Sequence, residues 1–113
     1  MSKPENPENN IGTVKILGRN IQIQLVSEEE MPDNDGEFCG STLSIKVRHS
    51  LSVQDFHDTL VHECVHAALY LSGANTFLRH NVEECVVVAM TTAFASVIDL
   101  KGLNLKYKPK PKD

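Results

Sequence analysis

At 113 residues, with a formal net charge of −4 at pH 7 and 41% hydrophobic content, the chain has room for one modest core and none for a separate substrate domain. No apolar stretch is long enough to span a bilayer and no signal peptide precedes the first polar residues, which predicts a cytoplasmic protein; the mildly acidic balance gives no general attraction to nucleic acid. Cys39, Cys64 and Cys85 form an odd set without CxxC spacing, which argues against a disulfide framework or a cysteine zinc site and predicts free thiols in or near the core.

Residues 1–12 carry Pro4 and Pro7 among mostly polar side chains, so they read as a disordered N-terminal tail, with order beginning near Thr13. Val14 and Ile16, then Ile21, Ile23 and Leu25, alternate with polar residues on either side of Gly18-Arg19-Asn20, the pattern of a β-hairpin with one buried face. Asp33-Asn34-Asp35-Gly36 is a turn signal, after which Leu43, Ile45 and Val47 alternate again. That third strand leads directly into a long helix from Ser52 to Gly73. Ser52 and Asp55 stand in capping-box spacing at its start, and Gly73 follows the last apolar residue as a stop. Phe56, Leu60, Cys64, Ala67, Ala68 and Leu71 make a broad apolar surface, widened by Val61 and Val65; Asp55, Asp58, His62, His66 and Tyr70 fall on the other side.

A second long helix is predicted from about Val82 to Leu100, with Asn81 as N-cap and Gly102 as terminator. The expected architecture is α+β: a small antiparallel or mixed sheet of about three strands packed on two helices, in one domain over residues 13–103. Residues 104–113 alternate lysine with proline over Lys106, Lys108, Lys110 and Lys112 and read as an extended, solubilising basic tail. No internal repeat is present.

The chemistry concentrates in His62-Glu63-Cys64-Val65-His66. Residues at i and i+4 lie on one face of a helix, so both imidazoles can reach one metal ion while Glu63 projects beside them. This HExxH spacing is the signature of zinc hydrolases, with the glutamate as general base. Two histidines on the less apolar face of a mostly buried helix lack an obvious core role, which weighs against coincidence.

The strand Leu43-Ser44-Ile45-Lys46-Val47, the run Asp58-Thr59-Leu60-Val61-His62-Glu63-Cys64-Val65-His66-Ala67, and Glu83-Glu84-Cys85-Val86-Val87 opening a helix together resemble the small ImmA/IrrE-type gluzincin-like metallopeptidases. Many of those are encoded by phages and mobile elements. The resemblance covers roughly Gly36 to the end of the last helix. It implies a minimal zincin-like fold in which Zn2+ is held by His62, His66 and a glutamate of the following helix, with Glu63 as the catalytic base.

Two cues disagree on that glutamate. Asn81 and Glu84 stand in capping-box spacing, which would occupy Glu84 and leave Glu83 as the ligand. Counting from Glu84, however, Val87, Met90 and Thr91 match the family-like helix pattern, and Thr91 and Ala95 are small enough for the two helices to pack closely. The second cue favours Glu84. Val88 stands four residues after Glu84, where gluzincins often carry an acidic or amide residue, so Asp58 or backbone carbonyls are expected to support the ligating histidines instead. His80 supplies a rival third ligand, because SprT-like proteases place a histidine at a broadly similar distance; the glycine and bulky aromatic that usually follow are replaced by Asn81-Val82-Glu83-Glu84.

The implied activity is zinc-dependent hydrolysis of a peptide bond in a protein or peptide substrate by a regulatory protease. Tyr70, Arg79 and His80 are candidate oxyanion donors, and Leu43 to Val47 is expected to form a recognition edge for an extended substrate. The alternative from another class is a zinc-stabilised, non-catalytic binding module, since so small a domain gains much from a metal crosslink. Glu63 favours the enzyme: a structural site needs the histidines and has no use for the glutamate between them. His49 and His57 lack partner spacing and read as surface or boundary residues.

Overall fold

In a computed structural model, residues 10–98 are described; the tail expected before them and the Pro/Lys tail at 104–113 lie outside the described residues. Strand β1 (Asn10–Ile16) pairs antiparallel with β2 (Arg19–Val26). β1 begins before Thr13 because Ile11, 4% exposed, belongs to the core, with a register irregularity between Asn10 and Gly12 admitting it. The connecting turn is also one residue earlier than the glycine-centred reading. Ile16 pairs with Arg19, leaving Leu17 and Gly18 as a two-residue loop with φ of 49° and 78°. Positive φ at both positions matches the twist of the flanking strands.

Strands β3 (Gly36–Cys39) and β4 (Ser44–Arg48) complete a four-stranded mixed sheet in the order β1-β2-β4-β3. β4 runs parallel to β2 and antiparallel to β3. The expected sheet thus gains one strand, and β4, expected to be an edge, is interior, with Ile45 and Val47 fully buried, while β3 and β1 are the two edges.

Helix α1 (Val53–Ser72) starts and ends as its sequence predicts. The Ser52 hydroxyl accepts from the Asp55 amide, and Gly73 at φ 82° donates its N–H to the Tyr70 carbonyl. Phe56, Leu60 and Ala67 press against Ile21, Ile23, Ile45 and Val47 to form the core between helix and sheet. On the order of 2 kcal/mol per fully buried aliphatic side chain makes this contact the main source of stability.

A 3-10 turn (Ala74–Phe77) leads to helix α2 (His80–Phe94). α2 begins before Val82, with Arg79 rather than Asn81 at the N-cap position, and no side chain caps it. It also stops short of Leu100. The Val97 and Ile98 amides both turn back to the Phe94 carbonyl, and His57 Nε2 donates to the Ile98 carbonyl at 2.9 Å, so the helical ladder ends there. Val87, fully buried, anchors α2 against the rest of the fold. Among the described residues no helix is long and apolar enough to cross a membrane.

Candidate metal centre

α1 presents His62 and His66 one turn apart, with ring centroids separated by 5.1 Å. α2 crosses them near its N-terminus, where successive residues Glu83 and Glu84 meet His66 from two directions. Glu84 Oε1 lies 2.9 Å from His66 Nε2, and Glu84 Oε2 lies 3.8 Å from His62 Nε2. Glu83 Oε2 lies 2.7 Å from His66 Nδ1. Among the described residues His62, His66 and Glu84 form a group that could hold a metal ion, their ligand atoms all within 4.8 Å of one another.

A carboxylate only accepts, so His66 Nδ1–H donates to Glu83. The other ring nitrogen, Nε2, lies 2.9 Å from the Glu84 carboxylate, so either a proton or a metal ion must sit between them. The two His–Glu84 separations, 2.9 Å to Oε1 and 3.8 Å to Oε2, together with a spread of at most 4.8 Å among one ligand atom from each residue, leave room for a single ion among the three side chains. His62 suits the same role, since burial, and then proximity to His66, lower its pKa and favour the neutral, ligating form.

The division of labour between the glutamates follows from their order on α2. Consecutive residues point about 100° apart, so Glu84 reaches the shared face of both histidines while Glu83 holds the far nitrogen of His66. Glu83 thereby does what was expected of Asp58 or backbone carbonyls. Asp58 instead accepts from Gln54 and lies 3.5 Å from His57 Nδ1. The capping box that favoured Glu83 as ligand does not form, because α2 begins at His80 and Asn81 lies inside it rather than at its N-cap. Two adjacent acids at a helix start were the available signal for a ligand with a supporting neighbour.

Glu63 sits beneath the β3 edge. It is 7% exposed, and burial pushes its pKa up to about 7, against the opposing effects of His66 and of the Phe38 amide donating to its carboxylate. β3 can approach this closely because Gly36 has no side chain: a Cβ there would fall 2.5 Å from Thr59 Cγ2 and 3.2 Å from Glu63 Cγ. Gly40 does the same for Tyr70, whose ring would lie 2.6 Å from an added Cβ and packs edge-on against Phe38.

Together these elements enclose an open cleft of about 880 Å3 lined by His62, Glu63, His66, Glu84, Gly36 and Phe38 among others. Tyr70 and His80 also line it, whereas Arg79 does not. His80 is exposed at the start of α2 and stands outside the His62–His66–Glu84 group. His57 and His49 lie away from the cleft, and Cys85 is exposed on α2 rather than near the core. Compared with models of protein families, with curated proteins and with solved structures, the chain gives no match.

Proposed function

We propose that the chain is a zinc-dependent metallopeptidase of the gluzincin type, similar to the ImmA/IrrE-type enzymes, acting on a protein substrate in a regulatory, phage- or mobile-element-like setting. The observation that carries this reading is the convergence of His62, His66 and Glu84 beside a buried carboxylate, Glu63, in one open cleft. A bound zinc ion would polarise the scissile carbonyl and acidify water there. Glu63 takes the proton from the attacking water and returns it to the amine as the C–N bond breaks, a role suited to a carboxylate whose pKa lies at about 7. Glu83 orients His66, and Tyr70 and His80 line the cleft where the carbonyl oxygen gains charge. An extended substrate would lie along β3, the edge strand of the cleft, rather than along β4. The free cysteines fit a cytoplasmic enzyme.

Glu63→Gln tests the reading: it should keep zinc stoichiometry and abolish cleavage of peptides displayed in a substrate library. Equal cleavage by both proteins would remove the mechanism. The second reading, a zinc-stabilised module without turnover, predicts that wild-type protein binds zinc and gains thermal stability from it, yet cleaves nothing in the same library.

A further inference from the structure

The cleft does not end at the histidines. Asp58 and Thr91 line both it and a second groove of about 680 Å3, which runs on between the start of α1 and the end of α2. Asp58 stands four residues before His62, one turn and about 6 Å back along α1. A peptide residue next to a bond held at the histidines is therefore within reach of this groove through a long side chain.

Val53 and Ala95 supply apolar wall, and hydrogen-bond acceptors gather around Asp58. Gln54 Nε2 donates to both Asp58 oxygens, at 3.1 and 3.2 Å, which leaves the carboxylate most of its lone pairs. His57 Nε2 donates to the Ile98 carbonyl, so in the neutral ring Nδ1 is an acceptor, and it lies 3.5 Å from Asp58 Oδ1. Thr91 Oγ1 is buried where the two cavities meet and has no hydrogen-bond partner among the described residues. Threonine on a helix divides between two χ1 wells, so a turn about χ1 presents that hydroxyl to a ligand.

The charge around these acceptors has one sign. Among the described residues no lysine or arginine lines either cavity, whereas Asp35, Glu37, Asp58, Glu63, Glu83 and Glu84 line the cleft. Arg48 holds Asp35 at 2.7 Å, His66 engages Glu83 and Glu84, and Glu63 is buried. Of the remaining two, Glu37 and Asp58, Asp58 borders the second groove, with its side chain 46% exposed.

We propose that this groove is the specificity subsite of the cleft and takes a lysine or arginine side chain of a bound peptide, with the aliphatic stem along Val53 and Ala95 and the cationic head at Asp58 and His57 Nδ1. A long cationic side chain pairs an apolar stem with a head that only donates, which matches a wall of this kind carrying only acceptors at its end. That the peptide is a substrate rests on the peptidase function proposed for the same cleft; the preference itself needs no turnover.

Full-length Glu63→Gln protein in excess zinc, titrated with acetyl-Gly-Gly-Lys-Gly-Gly amide and with the same peptide carrying norleucine, tests the subsite through the NMR methyl signals of Val53 and Ala95. The lysine peptide should bind up to about fivefold more tightly, the size expected of a charge pair partly open to water. Asp58→Asn in the same protein should erase the difference, and Asp58→Lys should favour a glutamate peptide instead. Equal affinity for lysine and norleucine, a preference that survives Asp58→Asn, or methyl signals that neither peptide moves would overturn the assignment. Cleavage of a peptide library by wild type without preference for basic residues would overturn it too, while leaving the peptidase standing. A lysine preference in the titration with nothing cleaved in the library would remove the peptidase and keep the subsite.

Discussion

Gly36→Ala places one methyl group where the fold has no room. The added Cβ would meet Thr59 Cγ2 at 2.5 Å, Glu63 Cγ at 3.2 Å and the Lys46 carbonyl at 3.3 Å. Carbon atoms in contact prefer about 3.5–4.0 Å, so β3 or Thr59 must yield by about 1 Å. Thr59 is β-branched on a helix and has few rotamers to choose from, and the Lys46 carbonyl belongs to the β4 backbone. The edge strand β3 should therefore lift from α1, loosening the contact between the Phe38 amide and Glu63. Overpacking of this kind costs about 1–3 kcal/mol, which for a domain of this size lowers Tm by about 4–8 °C per kcal/mol. Thermal melts of Gly36→Ala, Thr59→Ala and the double variant isolate the clash as a coupling energy. The double variant should recover most of the loss, since the nearest contact is removed and the one to Glu63 remains. A Gly36→Ala protein as stable as wild type, or an equal loss with and without Thr59, would refute the claim that close approach of β3 to α1 requires glycine.

The two glutamates should separate in zinc affinity measured by chelator competition: Glu83→Gln weakens binding about 10- to 100-fold, as loss of a ligand's supporting hydrogen bond does, and Glu84→Ala weakens it further by deleting a ligand. The reverse order would exchange their roles. In metal-free protein the raised pKa of Glu63 means that folding favours its protonated form. Its contribution is fully present below the ordinary carboxyl pKa of 4.5 and is lost as pH rises through about 7. At 1.36 kcal/mol per unit, the stability of wild type relative to Glu63→Gln should fall by up to about 3 kcal/mol between pH 4 and 8 in urea titrations; a pH-independent difference would contradict the burial assigned to it. At the hairpin, Leu17 holds φ 49° with its side chain 65% exposed. Leu17→Asn should stabilise the domain by about 0.5–1 kcal/mol, because asparagine tolerates the left-handed region that leucine disfavours.

Much of this fold is legible where local patterning and tertiary packing agree. The alternation of Val14, Ile16, Ile21 and Ile23 gives the hairpin, and the Ser52 cap and Gly73 stop bound α1 because both act through nearby backbone groups. β3 is harder to read. Gly36-Glu37-Phe38-Cys39 is too short to alternate, and its glycine looks like part of the preceding turn; it becomes a strand because β4 offers a pairing edge and Gly36 fits against Thr59. Gly40-Ser41-Thr42, taken as a hairpin turn, would have exposed it. Of the candidate site, His62, Glu63 and His66 follow from helical spacing alone. That Glu84, rather than Glu83, groups with both histidines depends on how α2 crosses α1, and the Asn81–Glu84 capping spacing carries no cap because α2 begins at His80, ahead of Asn81.

Titration of metal-free protein with zinc by calorimetry tests the central claim most directly. One ion per chain should bind, with proton release and a rise in thermal stability, and binding should be lost in His62→Ala with His66→Ala. No binding, or binding that survives removal of both histidines, would contradict a metal centre formed by His62, His66 and Glu84.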